Sequence, residues 1–147
     1  MKKLMPPTYL YTLILLAIAT HFTIPLIKII YFPYNLTGMI FIFFGATITL
    51  WADQIFKKEK TTVKPGEKSN KLIIKGPYKI SRHPMYLGML SILFGTSILL
   101  GSLVTFILPL IFIILIETKF VPLEERNMEK TFGKEYTNYK KKVRRWI

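Results

Sequence analysis

The sequence predicts an all-α, polytopic membrane protein: four transmembrane helices, both chain ends on the cytoplasmic side, and a short amphipathic helix at the C-terminus. Three observations lead there. Hydrophobic residues make up 51% of the 147, with a mean hydropathy of +0.36, too apolar for an ordinary soluble chain with room for one domain. The formal net charge is nevertheless +13, and the basic residues flank apolar runs instead of forming one stripe, which suits an anionic membrane surface and speaks against nucleic acid. Finally, the 34 residues from His83 to Ile116 contain no Asp, Glu, Lys or Arg. The absence of cysteine excludes a disulfide framework, a thiolate metal site and a cysteine nucleophile. Two widely separated histidines point to no metal site.

The first span is expected at about 5–28. Lys2 and Lys3 precede an uncharged run to Ile27, long enough to cross a hydrocarbon core. His21, Pro25 and Lys28 stand where a cleaved leader would need small residues, so the segment reads as a span and not as a signal peptide. His21 within it is either a relay or ligand, or a histidine bonded to a neighbouring helix. Tyr31 to Asn35, Y-F-P-Y-N, reads as an aromatic turn at the opposite interface. The second span follows at about 35–56, with Gly38 and Gly45 as close-packing points. Asp53 near its end is either an interfacial carboxylate paired with Lys57 at i+4 or a group of the site.

From Lys57 to Arg82 nine basic residues face two acids, and nine more basic residues follow Glu117. By the positive-inside rule both segments are cytoplasmic, so an even number of crossings separates them. His83–Ile116 as one helix would reach about 50 Å at 1.5 Å per residue, too long for one crossing and short for two full ones. Gly101-Ser102 near its middle therefore divides it into short or tilted spans at about 85–100 and 103–121. Pro109 is expected to kink the last of these. Pro122 suits the first turn of a new helix, with Glu124 and Glu125 favoured there by the helix dipole, or held there for function. After Gly133, Tyr136, Tyr139, Val143 and Trp146 recur at spacings of three, four and three among lysines and arginines. This reads as a short amphipathic helix on an anionic leaflet, its charge run binding headgroups without specificity.

The chain is organised around Lys71 to Gly88, K-L-I-I-K-G-P-Y-K-I-S-R-H-P-M-Y-L-G, where the basic segment meets the long apolar run. Its two glycines and two prolines hold the backbone away from regular helix. Such backbone at membrane depth is tolerated where protein buries it or where it lines a cavity. It reads as the wall of a pocket, with His83 either a working group or a cap on the loop before Pro84.

G-P-Y-x-x-S-R-H-P-M-Y-L-G at Gly76 to Gly88, E-E-R at Glu124 to Arg126, F-G-x-x-Y-x-x-Y at Phe132 to Tyr139 and the closing R-R-W-I together resemble the integral-membrane methyltransferases. That superfamily comprises isoprenylcysteine carboxyl methyltransferases and phospholipid N-methyltransferases, and the likeness is to its small prokaryotic members, from about Trp51 onward. The resemblance implies S-adenosylmethionine bound on the cytoplasmic side of the cell (inner) membrane, its product S-adenosylhomocysteine, and an acceptor that is a lipid or other hydrophobic small molecule. It further implies cofactor contacts at Asn70, Lys71, Leu72 and Ile73, largely through backbone, and at Tyr78, His83, Pro84, Met85, Tyr86 and Glu124. At the position of the substrate-facing arginine of the isoprenylcysteine branch stands Phe120, with Lys119 the nearest cation for a substrate. The chemistry agrees independently: a sulfonium donor wants ring faces and carboxylate, which Tyr78, Tyr86 and Glu124 can offer. An amine acceptor also needs a base, for which His83 or Glu125 is the candidate; a carboxylate or thiolate acceptor needs none. The rival readings are a non-catalytic membrane adaptor that binds lipid or a partner chain, and an NADPH-dependent membrane reductase.

Overall fold

A computed structural model describes residues 5–23, 27–59 and 70–147. The readings placed on Lys2, Lys3, Pro25 and the basic stretch 60–69 lie outside these residues. Six α-helices and no strand occur among those described: α1 (Pro6–Thr23), α2 (Gly38–Lys58), α3 (Pro84–Leu100), α4 (Ile107–Leu115), α5 (Val121–Phe132) and α6 (Lys134–Lys142). Short 3-10 turns lead into α2 and α4 at Tyr34–Thr37 and Leu103–Phe106.

Two helical stretches are long and apolar enough to cross a membrane, Tyr34–Lys58 with 25 residues and Leu103–Phe132 with 30; α3 is equally apolar but shorter. On α2 the side chains of Ile40, Phe43 and Leu50 are more than half exposed. An outward apolar face of this kind belongs against acyl chains.

The most extensive helix pair is α2 with α3. Gly38 and Gly45 of one meet Gly95 and Gly88 of the other, so closely that a Cβ added at Gly45 would lie 2.3 Å from the Gly88 carbonyl oxygen. Small residues let two backbones approach where lipid offers no hydrophobic drive to associate. On the other side of α3, Leu10, Leu13 and Ala17 of α1 pack with Met89, Leu93, Leu108, Phe112 and Ile116. Their spacing of three and four puts them on one face of α1.

Gly101-Ser102 does separate two helices. Gly101 has φ of +72°, and an added Cβ would stand 2.2 Å from the Ile30 carbonyl oxygen. Its own carbonyl accepts from the amides of Ile29 and Ile30 at 2.8 and 3.2 Å. Glycine alone meets both demands. The segment from Ile27 is thus tied to this turn, and the first helix, described to Thr23, does not reach the expected 28. His21 donates to or accepts from Ser102 Oγ at 2.6 Å, the neighbour-bonded alternative of the two readings.

The C-terminal half bears on three expectations. Pro109 is the third residue of α4, just past the 3-10 turn, where a missing amide donor costs little. Pro122 stands in the first turn of a new helix as expected, at the second position of α5, with Glu124 in the same turn. The helical path continues from Leu103 to Phe132 through a π turn at Ile116–Phe120. A wide turn immediately ahead of the proline absorbs the donor it lacks. The last helix stops at Lys142, and Val143 is extended with φ −122° and ψ 127°. Val143 and Trp146 therefore do not continue the face of Tyr136 and Tyr139.

Candidate active site

The segment before α3 is shaped by its glycine and prolines. Gly76 takes φ of +58° directly over α2, where a Cβ would lie 2.5 Å from Ile55 Cδ1. Pro77 opens a 3-10 turn that buries Tyr78 against Phe56, with ring centroids 5.3 Å apart. Ser81 Oγ accepts the His83 amide at 3.2 Å, and Pro84 starts α3 at a position that needs no amide donor. His83 is thereby set at the helix start, and its ring stacks on that of Tyr86 one turn further, 5.7 Å centroid to centroid and 10° between planes.

Both rings converge on α5. The Tyr86 hydroxyl donates to Glu124 Oε1, and His83 Nδ1 lies 3.3 Å from Glu124 Oε2. The second acid of the pair faces the other way. Glu125 is 6% exposed and takes Arg82 Nη2 at 3.0 Å and Arg145 Nε and Nη2 at 3.2 and 3.1 Å, while His83 Nε2 stands 3.6 Å from its Oε1. The imidazole thus lies between two carboxylates. Burial disfavours its cation, but Glu124 and Glu125 outweigh this and raise its pKa above the ordinary value. Glu125 is pushed up by burial and pulled down more strongly by His83, Arg145 and Arg82, to about 2. Burial, then the charge of Glu124, keeps the Tyr78 hydroxyl neutral well beyond its usual range.

These groups border a cavity of about 620 Å³ between α1, α2, α3 and the C-terminal helices. Its polar end is formed by Asp53, Lys71, Tyr78, Arg82, His83, Tyr86 and Glu124, and its apolar end by Leu10, Ile14, Ala46, Leu50, Met89 and Ile92. Leu72, Ile73, Pro84 and Met85 also line it. Of the residues expected at the site, Asn70, Lys119 and Glu125 are not part of the wall. Lys119 is exposed in the π turn, and Glu125 touches His83 from behind. Asp53 combines both of its readings, since it pairs with Lys57 at 2.5 Å and lines the cavity.

The structure adds Arg82, Tyr136, Tyr139 and Arg145 to the residues at or against the site. The Tyr139 hydroxyl donates to the Tyr78 carbonyl at 2.6 Å, and burial raises its pKa to about 12. The F-G-x-x-Y-x-x-Y spacing carried the two tyrosines in the sequence, but its helical period read equally well as a lipid-facing stripe.

Glu125 lends itself to a direct measurement. Its folded pKa lies below the ordinary 4.5, so it adds stability above about pH 4.5 that is lost as pH falls toward 2. Thermal melts of the wild type should fall over that window more steeply than those of Glu125→Gln, which at neutral pH is itself weaker by about 2 kcal/mol because two guanidinium groups lose their anion. Parallel pH curves would contradict the ion-pair role.

Similarity extends to an uncharacterized protein of Haemophilus influenzae, 41% identical over 63 residues that make up 43% of this chain and all of that one. It extends to protein-S-isoprenylcysteine O-methyltransferase B of Arabidopsis thaliana, 31% identical over 52% of this chain and 39% of the relative. Methanethiol S-methyltransferase of Pseudomonas deceptionensis is 41% identical over 45% of this chain and 24% of its own length. The chain thus spans well under half of each of these two named enzymes. The model of the family described as phospholipid methyltransferase matches residues 34–135, from the 3-10 turn ahead of α2 into α6, and so takes in the loop, the helix start and the Glu pair together. By that match the chain belongs to the phospholipid methyltransferase family.

Proposed function

We propose that the protein is an S-adenosylmethionine-dependent methyltransferase that acts on a lipid or hydrophobic small molecule at the cytoplasmic face of the prokaryotic inner membrane. It would form one domain of four spans, α1, α2, α3 and the stretch from Leu103, with both ends in the cytoplasm. The observation that carries this reading is the Glu124 carboxylate, held by Tyr86 and His83 on the wall of a cavity that Tyr78 and Tyr86 also line. S-adenosylmethionine, when bound, supplies a methyl group on a positively charged sulfur. The residues present fit such a group: two neutral phenol rings, an ionisable carboxyl, and a lysine whose ammonium is drawn off, since Lys71 pairs with Glu59. A volume of about 620 Å³ lies within the usual range of small-molecule sites.

Tyr78, Tyr86 and Glu124 would hold the cation, and the polypeptide at Lys71, Leu72 and Ile73 would close the pocket over it. Methyl transfer in line asks for alignment and exclusion of water more than for acid–base groups. His83, whose pKa the two flanking carboxylates raise, orients Glu124 through Nδ1. It takes a proton from an amine acceptor only once it has itself lost one. A thiolate or carboxylate acceptor requires no such step. The apolar end of the cavity, between α1 and α2, suits an acceptor that enters from the bilayer.

Calorimetric titration of the purified protein with S-adenosylhomocysteine tests this directly. Binding is expected, weakened about tenfold by His83→Ala, which removes a charge-assisted contact to Glu124. No binding by the wild type removes the donor assignment; binding indifferent to His83 removes the site assignment.

A further inference from the structure

The last five residues do not lie free beside α6. After Lys142 the chain turns extended and runs back across the S-R-H segment that precedes α3. The Arg82 amide donates to the Arg144 carbonyl at 3.1 Å, and Ser81 Oγ donates to the Arg145 carbonyl at 3.0 Å. The side chains reach the opposite way. Arg145 grips both oxygens of Glu125 and extends Nη1 to Glu117 Oε2 at 2.9 Å, and Trp146 Nε1 donates to Glu117 Oε1 at 2.5 Å. The Trp146 ring also packs on the core shared by α1, α3 and α4. One short strap therefore ties the loop that carries His83 to the acid behind His83 and to the π turn that sets the start of α5.

We propose that Arg145 and Trp146 are positioning residues of the active site, a C-terminal strap that holds Glu125 and the S-R-H turn so that His83 stays aligned on Glu124. This rests on the donor-site reading above. It also divides the basic tail by role. Lys141 and Lys142 are exposed charges for the membrane surface, whereas Arg145 serves the site through Glu125. Arginine suits this place because its planar fork can serve two carboxylates at once, which an ammonium cannot.

The test uses the full chain in nanodiscs with Trp51→Phe, so that Trp146 is the sole tryptophan and reports docking of the strap by its emission. Arg145→Gln should shift that emission to the red and weaken S-adenosylhomocysteine binding about tenfold at pH 7. Arg145→Lys should fall between it and the parent. The groups facing Glu125 are Arg82 and His83 from the loop, Glu124 beside it, Lys140 and Tyr136 from α6, and Arg145 itself. With the last removed, the low-pH limb of binding should move up by about one pH unit. Lys141→Gln should change neither affinity nor limb. Should Arg145→Gln not fold, Arg145→Lys decides: affinity and limb equal to the parent would overturn the proposal. A red shift with affinity and limb unchanged overturns it as well, leaving only a structural tail. Absence of binding in the parent removes the donor reading and this inference together, whereas parent binding that Arg145→Gln leaves intact removes this inference alone.

Discussion

Replacing Glu124 by alanine is expected to weaken S-adenosylmethionine binding by about a hundredfold, the largest single loss from one side chain at the site. Three contributions add up. The carboxylate lines the cavity beside Tyr86, so a cationic ligand loses its counter-charge, worth about 1.5–3 kcal/mol for a hydrogen-bonded charge. The Tyr86 hydroxyl, buried with its residue at 6% exposure, loses its acceptor. His83 loses the closer of its two carboxylates and the alignment that goes with it. Glu124→Gln keeps the shape and an acceptor for Tyr86, and should restore about half of the lost free energy. Titration calorimetry of both variants decides the matter. Equal affinities for wild type and Glu124→Ala would mean that the carboxylate serves the helix start alone.

Gly88→Val is expected to destabilise the fold by at least about 4 kcal/mol, lowering the thermal midpoint in detergent by more than about 10 °C. A Cβ at position 88 would lie 2.2 Å from Thr49 Oγ1 and 2.6 Å from the Gly45 carbonyl oxygen. The threonine could rotate, but the carbonyl belongs to the α2 backbone and cannot move without parting the helices. Overpacked interfaces usually cost about 1–3 kcal/mol, and here the clash is with main chain and is followed by two further methyl groups. The better helix propensity of valine returns only a few tenths of a kcal/mol. Parting α2 from α3 also shifts Tyr86, two residues away, relative to Tyr78 on the loop held by α2. Donor binding should therefore fall with stability. A midpoint within about 2 °C of wild type would show that the two helices tolerate separation.

How much of this was legible in the chain can be followed residue by residue. The Lys71–Gly88 stretch was readable as the site wall because glycines, prolines and a histidine at the edge of an apolar run have few other uses. The break at Gly101-Ser102 was readable because 34 uncharged residues exceed one crossing. The close packing at Gly38 and Gly45 was readable because small residues in a span let a neighbouring helix approach. The end of the last helix was not readable. Tyr136, Tyr139, Val143 and Trp146 keep a helical period across a point where the backbone turns extended, and a basic run looks alike on a lipid surface and in a salt-bridge network. The helix start at Pro122 was readable from the proline and the Glu pair that follows it, whereas the π turn that joins this helix to the preceding one was not.

The amino-acid sequence by itself determined the helical class, the membrane setting and the segment from which the site is built, because each follows from local rules of hydropathy, charge and backbone freedom. Tertiary structure alone decided the division of labour within the acid pair, Glu124 toward the cavity and Glu125 toward Arg82 and Arg145, and the return of the C-terminus across the S-R-H turn. Those depend on which long-range partners reach a carboxylate first, and Arg145 stands 20 residues from Glu125 in the chain. No periodicity records such a meeting; it arises only when α5, α6 and the loop before α3 are packed together.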